Sequence, residues 1–162
     1  MQSSLYNEII QCRLAPVSPE AETLSSMSAL SEPVSKYSPV EIRETISKLV
    51  SEDRMDLATA LGEAGLALYP QSEDVLAVTG LMAMLREDWE SAVSLLNELL
   101  VLQGPNAPVT THLMFIRALR CALEPAAALS AVMLAHEHYP NHPELETEFQ
   151  AISVQLGIKS AV

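Results

Sequence analysis

His136, His138 and His142 lie close together in the chain and, with His112 upstream, are the residues from which a metal centre or an acid–base pair would have to be built. On a helix, His136 and His138 point to different sides, and no cysteine or carboxylate constellation completes a tetrahedral set. His112 takes a position that calls for a large apolar side chain and reads as a half-buried histidine bonded to a backbone group. Cys12 and Cys121 are far apart and show no CxxC or Cys/His spacing, so neither a disulfide framework nor a zinc site is expected. Glu52/Asp53 and Glu87/Asp88 fall where the chain turns between helices, a setting in which carboxylates are solvated. No glycine-rich phosphate loop, nucleophile elbow or usefully spaced His/Asp pair appears. The expectation is a protein with no catalytic residues, no metal and no cofactor.

A different chemistry, recognition rather than catalysis, is offered by Arg117 and Arg120. Placed three residues apart on a helix, their guanidinium groups could fork onto carboxylates or peptide carbonyls of a bound segment. The same spacing equally suits a solvated face with salt bridges to the chain's own acids. Those acids are plentiful, since 21 Asp and Glu against 9 Lys and Arg leave a net charge of -12. That charge repels phosphates, so nucleic acid and anionic lipid surfaces are excluded as partners. The N-terminal stretch has neither a basic segment nor a continuous apolar run, and no later stretch is long and apolar enough to cross a bilayer. A soluble, unprocessed, cytoplasmic protein is expected, without direct membrane insertion.

The elements that must position these side chains are helices. Hydrophobic residues make up 49% of the 162-residue chain but aromatic ones only 4%, a composition for Leu, Ala, Val and Met packing. Residues 1–37 are rich in Ser and Pro and read as a partly helical or disordered N-terminal extension, with short amphipathic pieces around Leu5–Ile10 and Ala21–Leu30. At Ser38-Pro39-Val40-Glu41 a capping box with proline at the first helical position starts a helix. From there apolar residues recur at helical spacing in pairs of helices. Ala58, Ala92 and Ala128 stand twelve residues before Pro70, Gly104 and Pro140, and are separated from one another by 34 and 36 residues. A period of this length is that of a helix-turn-helix unit that cannot bury its apolar face alone. The fold class predicted is all-α, with repeats over 39–72, 73–106 and 109–142 inside a domain of residues 38–162. A last helix over 143–156 caps it, with Leu145, Phe149, Ile152 and Leu156 inward and Glu144, Glu146 and Glu148 outward. Gly62 and Gly65 each lower helix propensity by about 1 kcal/mol relative to alanine. They permit close packing and could let a second chain approach, making a homodimer through the first repeat.

On these residues the chain resembles the tetratricopeptide repeats, over roughly 39–142 plus the trailing helix. Ala58, Ala92 and Ala128 match the family's small residue, Pro70 and Pro140 its terminal proline, and Gly80 its other small position. Asp88-Trp89-Glu90-Ser91-Ala92 matches its turn, aromatic and alanine. Ile46 and Ile116 depart from the pattern where Gly80 keeps it. In the family the two small positions face each other where helices cross. The resemblance implies a right-handed α-solenoid whose first helices line a groove through Val40, Arg43, Ser47, Val50, Asp74, Ala77, Leu81, Met84, Thr110, Leu113, Arg117 and Arg120. That groove is expected to be mainly apolar, with Met84 as an adaptable contact and three arginines. The Lys and Asn of the family's two-carboxylate clamp are replaced here by Ser47, Val78, Thr110 and Met114, so capture of a free C-terminus by that clamp is not expected.

By its plan the chain also resembles the small tetratricopeptide chaperones of bacterial type III secretion. That resemblance implies a non-catalytic module holding a protein client or peptide segment. The alternative is a structural adaptor subunit of a larger secretion or membrane-associated complex, contacted through the outer face and the N-terminal extension.

Overall fold

The computed structural model describes residues 37–157. Residues 1–36 of the N-terminal extension, Cys12 among them, therefore lie outside the described residues. Seven α-helices follow one another among the described residues: α1 Pro39–Ser51, α2 Met55–Leu68, α3 Glu73–Leu85, α4 Trp89–Gln103, α5 Val109–Cys121, α6 Pro125–His138 and α7 Pro143–Gln155. The capping box forms as the sequence predicts. The Ser38 N–H donates to the Glu41 carboxylate at 2.7 Å, and the Glu41 N–H donates to Ser38 Oγ at 3.3 Å. The Ser38 backbone N–H first, and its hydroxyl second, hold the Glu41 carboxyl below its ordinary value. None of these helices is long and apolar enough to cross a membrane.

Three pairs, α1/α2, α3/α4 and α5/α6, are closed by one repeated turn. Arg54 donates to Leu49 O and Asp53 to Val50 O in the first; Asp88 to Ala83 O and Glu87 to Met84 O in the second; Glu124 to Leu119 O and Leu123 to Arg120 O in the third. This is the Schellman pattern, and it places Asp53, Glu87 and Leu123 at φ near +60°. No glycine marks these turns. Asp88 also caps α4 by accepting from Ser91 N–H at 3.2 Å, so it is less a free acid than expected.

The core is a row of three clusters, each closed by the helix that follows its pair. Ile42, Ile46 and Ala58 are covered by Val75, Val78 and Met82. Leu76, Ala92 and Leu96 are covered by Met114 and Ala118. Ile116, Ala128 and Val132 are covered by Leu145 and Ile152. The periodic alanines Ala58, Ala92 and Ala128 are fully buried, one in each cluster. The first helices also pack side by side, α1 on α3, α3 on α5 and α5 on α7, whereas α2, α4 and α6 contact mainly their own partner and the next first helix. The first helices thus form the inner row of the solenoid and the second helices its splayed outer row.

The small residues make room for large ones on the facing helix. A Cβ on Gly80 would lie 3.0 Å from Leu96 and 3.8 Å from Leu95. Sixteen residues separate Gly80 from Leu96, and the same sixteen separate Ile46 from Gly62. A Cβ on Gly62 would sit 3.7 Å from Ile46 Cδ1. The first pair therefore exchanges small for large across the same contact, which is why Ile46 is tolerated. Gly62 and Gly65 are both buried by their own chain, against Thr79, Ile42 and Val75. Neither is available for the approach of another copy.

A tyrosine latch repeats with the helices. Tyr69 Oη donates to Tyr37 O at 3.0 Å and Tyr139 Oη to Ala107 O at 2.7 Å, each tying the end of a pair to the residue just before it begins. At the equivalent place in the middle pair stands Gln103, which donates to Glu73 instead, at 3.0 Å.

Gly62→Ala tests how tightly α2 is held. The added methyl would lie 2.6 Å from Thr79 Cγ2, on a branched side chain whose hydroxyl is bonded to Val75 O. Overpacking outweighs the gain of about 1 kcal/mol in helix propensity, giving a net loss of about 1 kcal/mol. Urea unfolding reads this, and adding Thr79→Ala should restore part of it.

Candidate functional site

The inner row is the first candidate surface, and the structure sorts its expected residues into three groups. Leu113 is buried in the third cluster, so it supports the surface from below rather than lining it. Ala77, Leu81 and Met84 on α3, with Val50 on α1, are half-buried and rest on the core clusters. Ser47 and Thr110 are half-buried as well, and Val40 is exposed at the start of α1. Ser47 Oγ donates back to Arg43 O at 2.9 Å, leaving it little to offer a ligand.

The charged residues form the third group, and each is engaged within the chain. Arg43 on α1 reaches Asp74 on α3 at 2.6 Å and approaches Glu44 at 3.9 Å. Arg117 Nε donates to Glu148 at 2.7 Å and its terminal nitrogen to Glu144 at 3.2 Å, while Arg120 Nε donates to the other oxygen of Glu148 at 3.1 Å. Glu148 is 6% exposed, not on the outer face of the capping helix as its sequence position suggested. Leu145 and Ile152 are turned into the core, and this orientation of α7 carries Glu148 onto α5. A carboxylate so buried needs both guanidinium groups, since an uncompensated buried charge is strongly unfavourable. Of the two readings open for Arg117 and Arg120, intrachain pairing is the one observed. The inner row has no free arginine fork among its expected residues.

The second surface is an apolar cleft on the outer row. It holds about 440 Å³ between α4 and α6 above α5, with Leu100, Val101, Phe115, Ala131 and Leu134 among its walls. His112 faces it, its ring 6.3 Å from His138 and 6.0 Å from Tyr139 rather than bonded to a backbone group. Burial first, and the nearby His138 second, press the His112 imidazole below its ordinary 6.5. His136 turns the other way, toward Phe149 at 6.2 Å. Among the described residues no three metal-ligating side chains converge. Cys121 is a half-buried free thiol. Sequence reasoning missed the cleft because its walls come from helices of different pairs.

Two predictions follow from the charges. Arg117→Ala with Arg120→Ala leaves Glu148 buried and unpaired, and should lower stability in urea by about 3 kcal/mol. Adding Glu148→Leu should recover most of that loss. His112 favours its neutral form in the folded chain, so the unfolded chain takes up a proton there first. Its contribution to stability is level above its ordinary 6.5 and declines as the pH falls below it. Urea midpoints compared at neutral and mildly acidic pH should fall more for the wild type than for His112→Gln.

Comparison with solved structures places this arrangement of helices. No family model matches the sequence, and no curated protein matches it in sequence. MamA of AMB-1 superposes with a TM-score of 0.69 at 18% identity, covering 80% of this chain and 75% of that one. YrrB, described as a TPR protein with an unusual peptide-binding site, gives 0.64 at 18% identity over 76% and 62%. The Yersinia enterocolitica type III secretion chaperone SycD, in complex with a peptide of the translocator YopD, gives 0.59 at 16% identity over 72% and 93%. Likeness at such identity concerns the fold, and the fold is that of a divergent tetratricopeptide-repeat solenoid.

Proposed function

We propose that this chain is a non-catalytic protein-interaction module that holds a segment of a client along its inner row, as a small chaperone does. The observation that carries the reading is the half-buried stripe Ala77, Leu81 and Met84 on α3, which rests on the core without being sealed in it. Covering such side chains removes further apolar area from water, worth about 25 cal/mol per Å² before the ordering of the client is set against it. Because Arg43, Arg117 and Arg120 are already paired, the row attracts its client through apolar contact. An apolar or amphipathic segment suits it better than an acidic tail.

Solved structures of similar fold lend support, since YrrB is described by its peptide-binding site and SycD was solved with a translocator peptide. A role in type III secretion, keeping a translocator-like client from aggregating in the cytoplasm, is the specific form of this proposal. In the native host the full chain should co-purify with one client in fixed stoichiometry. Leu81→Glu with Met84→Glu should lower recovery of that client about tenfold while the helical circular dichroism is kept. A complex that withstands both substitutions places the client elsewhere and sinks the reading.

A further inference from the structure

We infer that the cleft between α4 and α6 is a second docking site, which takes the apolar side chains of a basic, amphipathic segment of a partner protein. Its geometry follows from the splay of the outer row. Successive first helices touch, and successive second helices stand apart, so α5 is left as the floor of a channel walled by α4 and α6. Val101 on one wall is 75% exposed and Leu134 on the other 53%. Large apolar side chains facing one another across a cleft of about 440 Å³ mark an interaction surface.

The partner's charge follows from where the cations are. Among the described residues the lysines and arginines are Arg43, Lys48, Arg54, Arg86, Arg117 and Arg120, and none lies within α2, α4 or α6. Apart from His136 and His138, the ionisable side chains of these three helices are acids. Glu98 follows the cleft residue Asn97 on α4, Glu137 precedes the cleft residue His138 on α6, and both are exposed. An apolar channel whose two wall helices carry exposed glutamates and no lysine or arginine favours leucine-like anchors flanked by lysine or arginine. A second copy of this chain is disfavoured by the same charges, because a two-fold contact would set one acidic row against another. Contact of this kind is what a structural adaptor would use, and it does not depend on what the inner row holds.

The test uses the full chain and fluorescently labelled amphipathic helical peptides. The probes are a Leu/Lys peptide, its Leu/Glu counterpart, and a Lys/Ser peptide without leucine. The Leu/Lys peptide should bind about tenfold or more tightly than either control, and weaken with added salt. Val101→Glu with Leu134→Glu should reduce its binding about tenfold. Glu98→Lys with Glu137→Lys, both at exposed positions, should shift preference to the Leu/Glu peptide. In a chain whose inner row is already closed by Leu81→Glu with Met84→Glu, the Leu/Lys peptide should still bind and should still be weakened by the Val101 and Leu134 substitutions. Equal binding of the Leu/Glu peptide, or indifference to the Val101 and Leu134 substitutions, overturns the inference. So does sedimentation of the full chain as a dimer that those two substitutions dissociate, since a second copy would then occupy the cleft.

Discussion

Everything in this molecule depends on the fact that a pair of helices cannot enclose its own core. Ile42, Ile46 and Ala58 are sealed only when Val75, Val78 and Met82 arrive from α3, and that debt is passed along the chain. Met114 and Ala118 discharge it for the second pair, Leu145 and Ile152 for the third. The inner row is a by-product of this sealing, because each first helix must lie across the pair before it. Its half-buried stripe on α3 and the outer splay are two sides of one packing arrangement.

Size complementarity between paired helices is written in the sequence of the first two pairs. The three periodic alanines are buried, one in each core cluster. Ile46 looked like a lost consensus residue, whereas Gly62, sixteen residues later, compensates for it by supplying the space that Gly80 supplies in the second pair. A pattern read one position at a time treats this exchange as degeneration. Read as a pair sum of volumes, it is conservation of the space between two helices.

Other features lay outside the reach of local patterns for identifiable reasons. Tyr69-Pro70 and Tyr139-Pro140 were legible as helix ends, but the hydroxyl of each tyrosine acts on a carbonyl 32 residues earlier. Asp53, Glu87 and Leu123 adopt the left-handed conformation that glycine would advertise, so no glycine in the sequence marks these three turns. Glu148 was assigned to the solvent because its neighbours Glu144 and Glu146 suit that face. Its burial is decided by Arg117 and Arg120, 31 and 28 residues away. In the candidate site, the apolar part of the inner row follows from the resemblance to the repeat family, and the state of its charges does not.

The placement of so few cations decides how the two faces can be used. Arg43, Arg117 and Arg120 sit where neighbouring first helices meet, and the carboxylates that face them, Asp74, Glu144 and Glu148, come from the next first helix in the row. Such pairs add little net stability where they are exposed, but they fix the register of one first helix against the next, most firmly at the buried Glu148. Using the arginines there removes them from both surfaces at once. The inner row keeps paired charges beside its apolar contacts, and α2, α4 and α6 carry no lysine or arginine to offset their acids. A chain with a net charge of -12 therefore presents two chemically distinct faces. The difference arises from which helices must touch, because contact between first helices is what draws every one of these ion pairs inward.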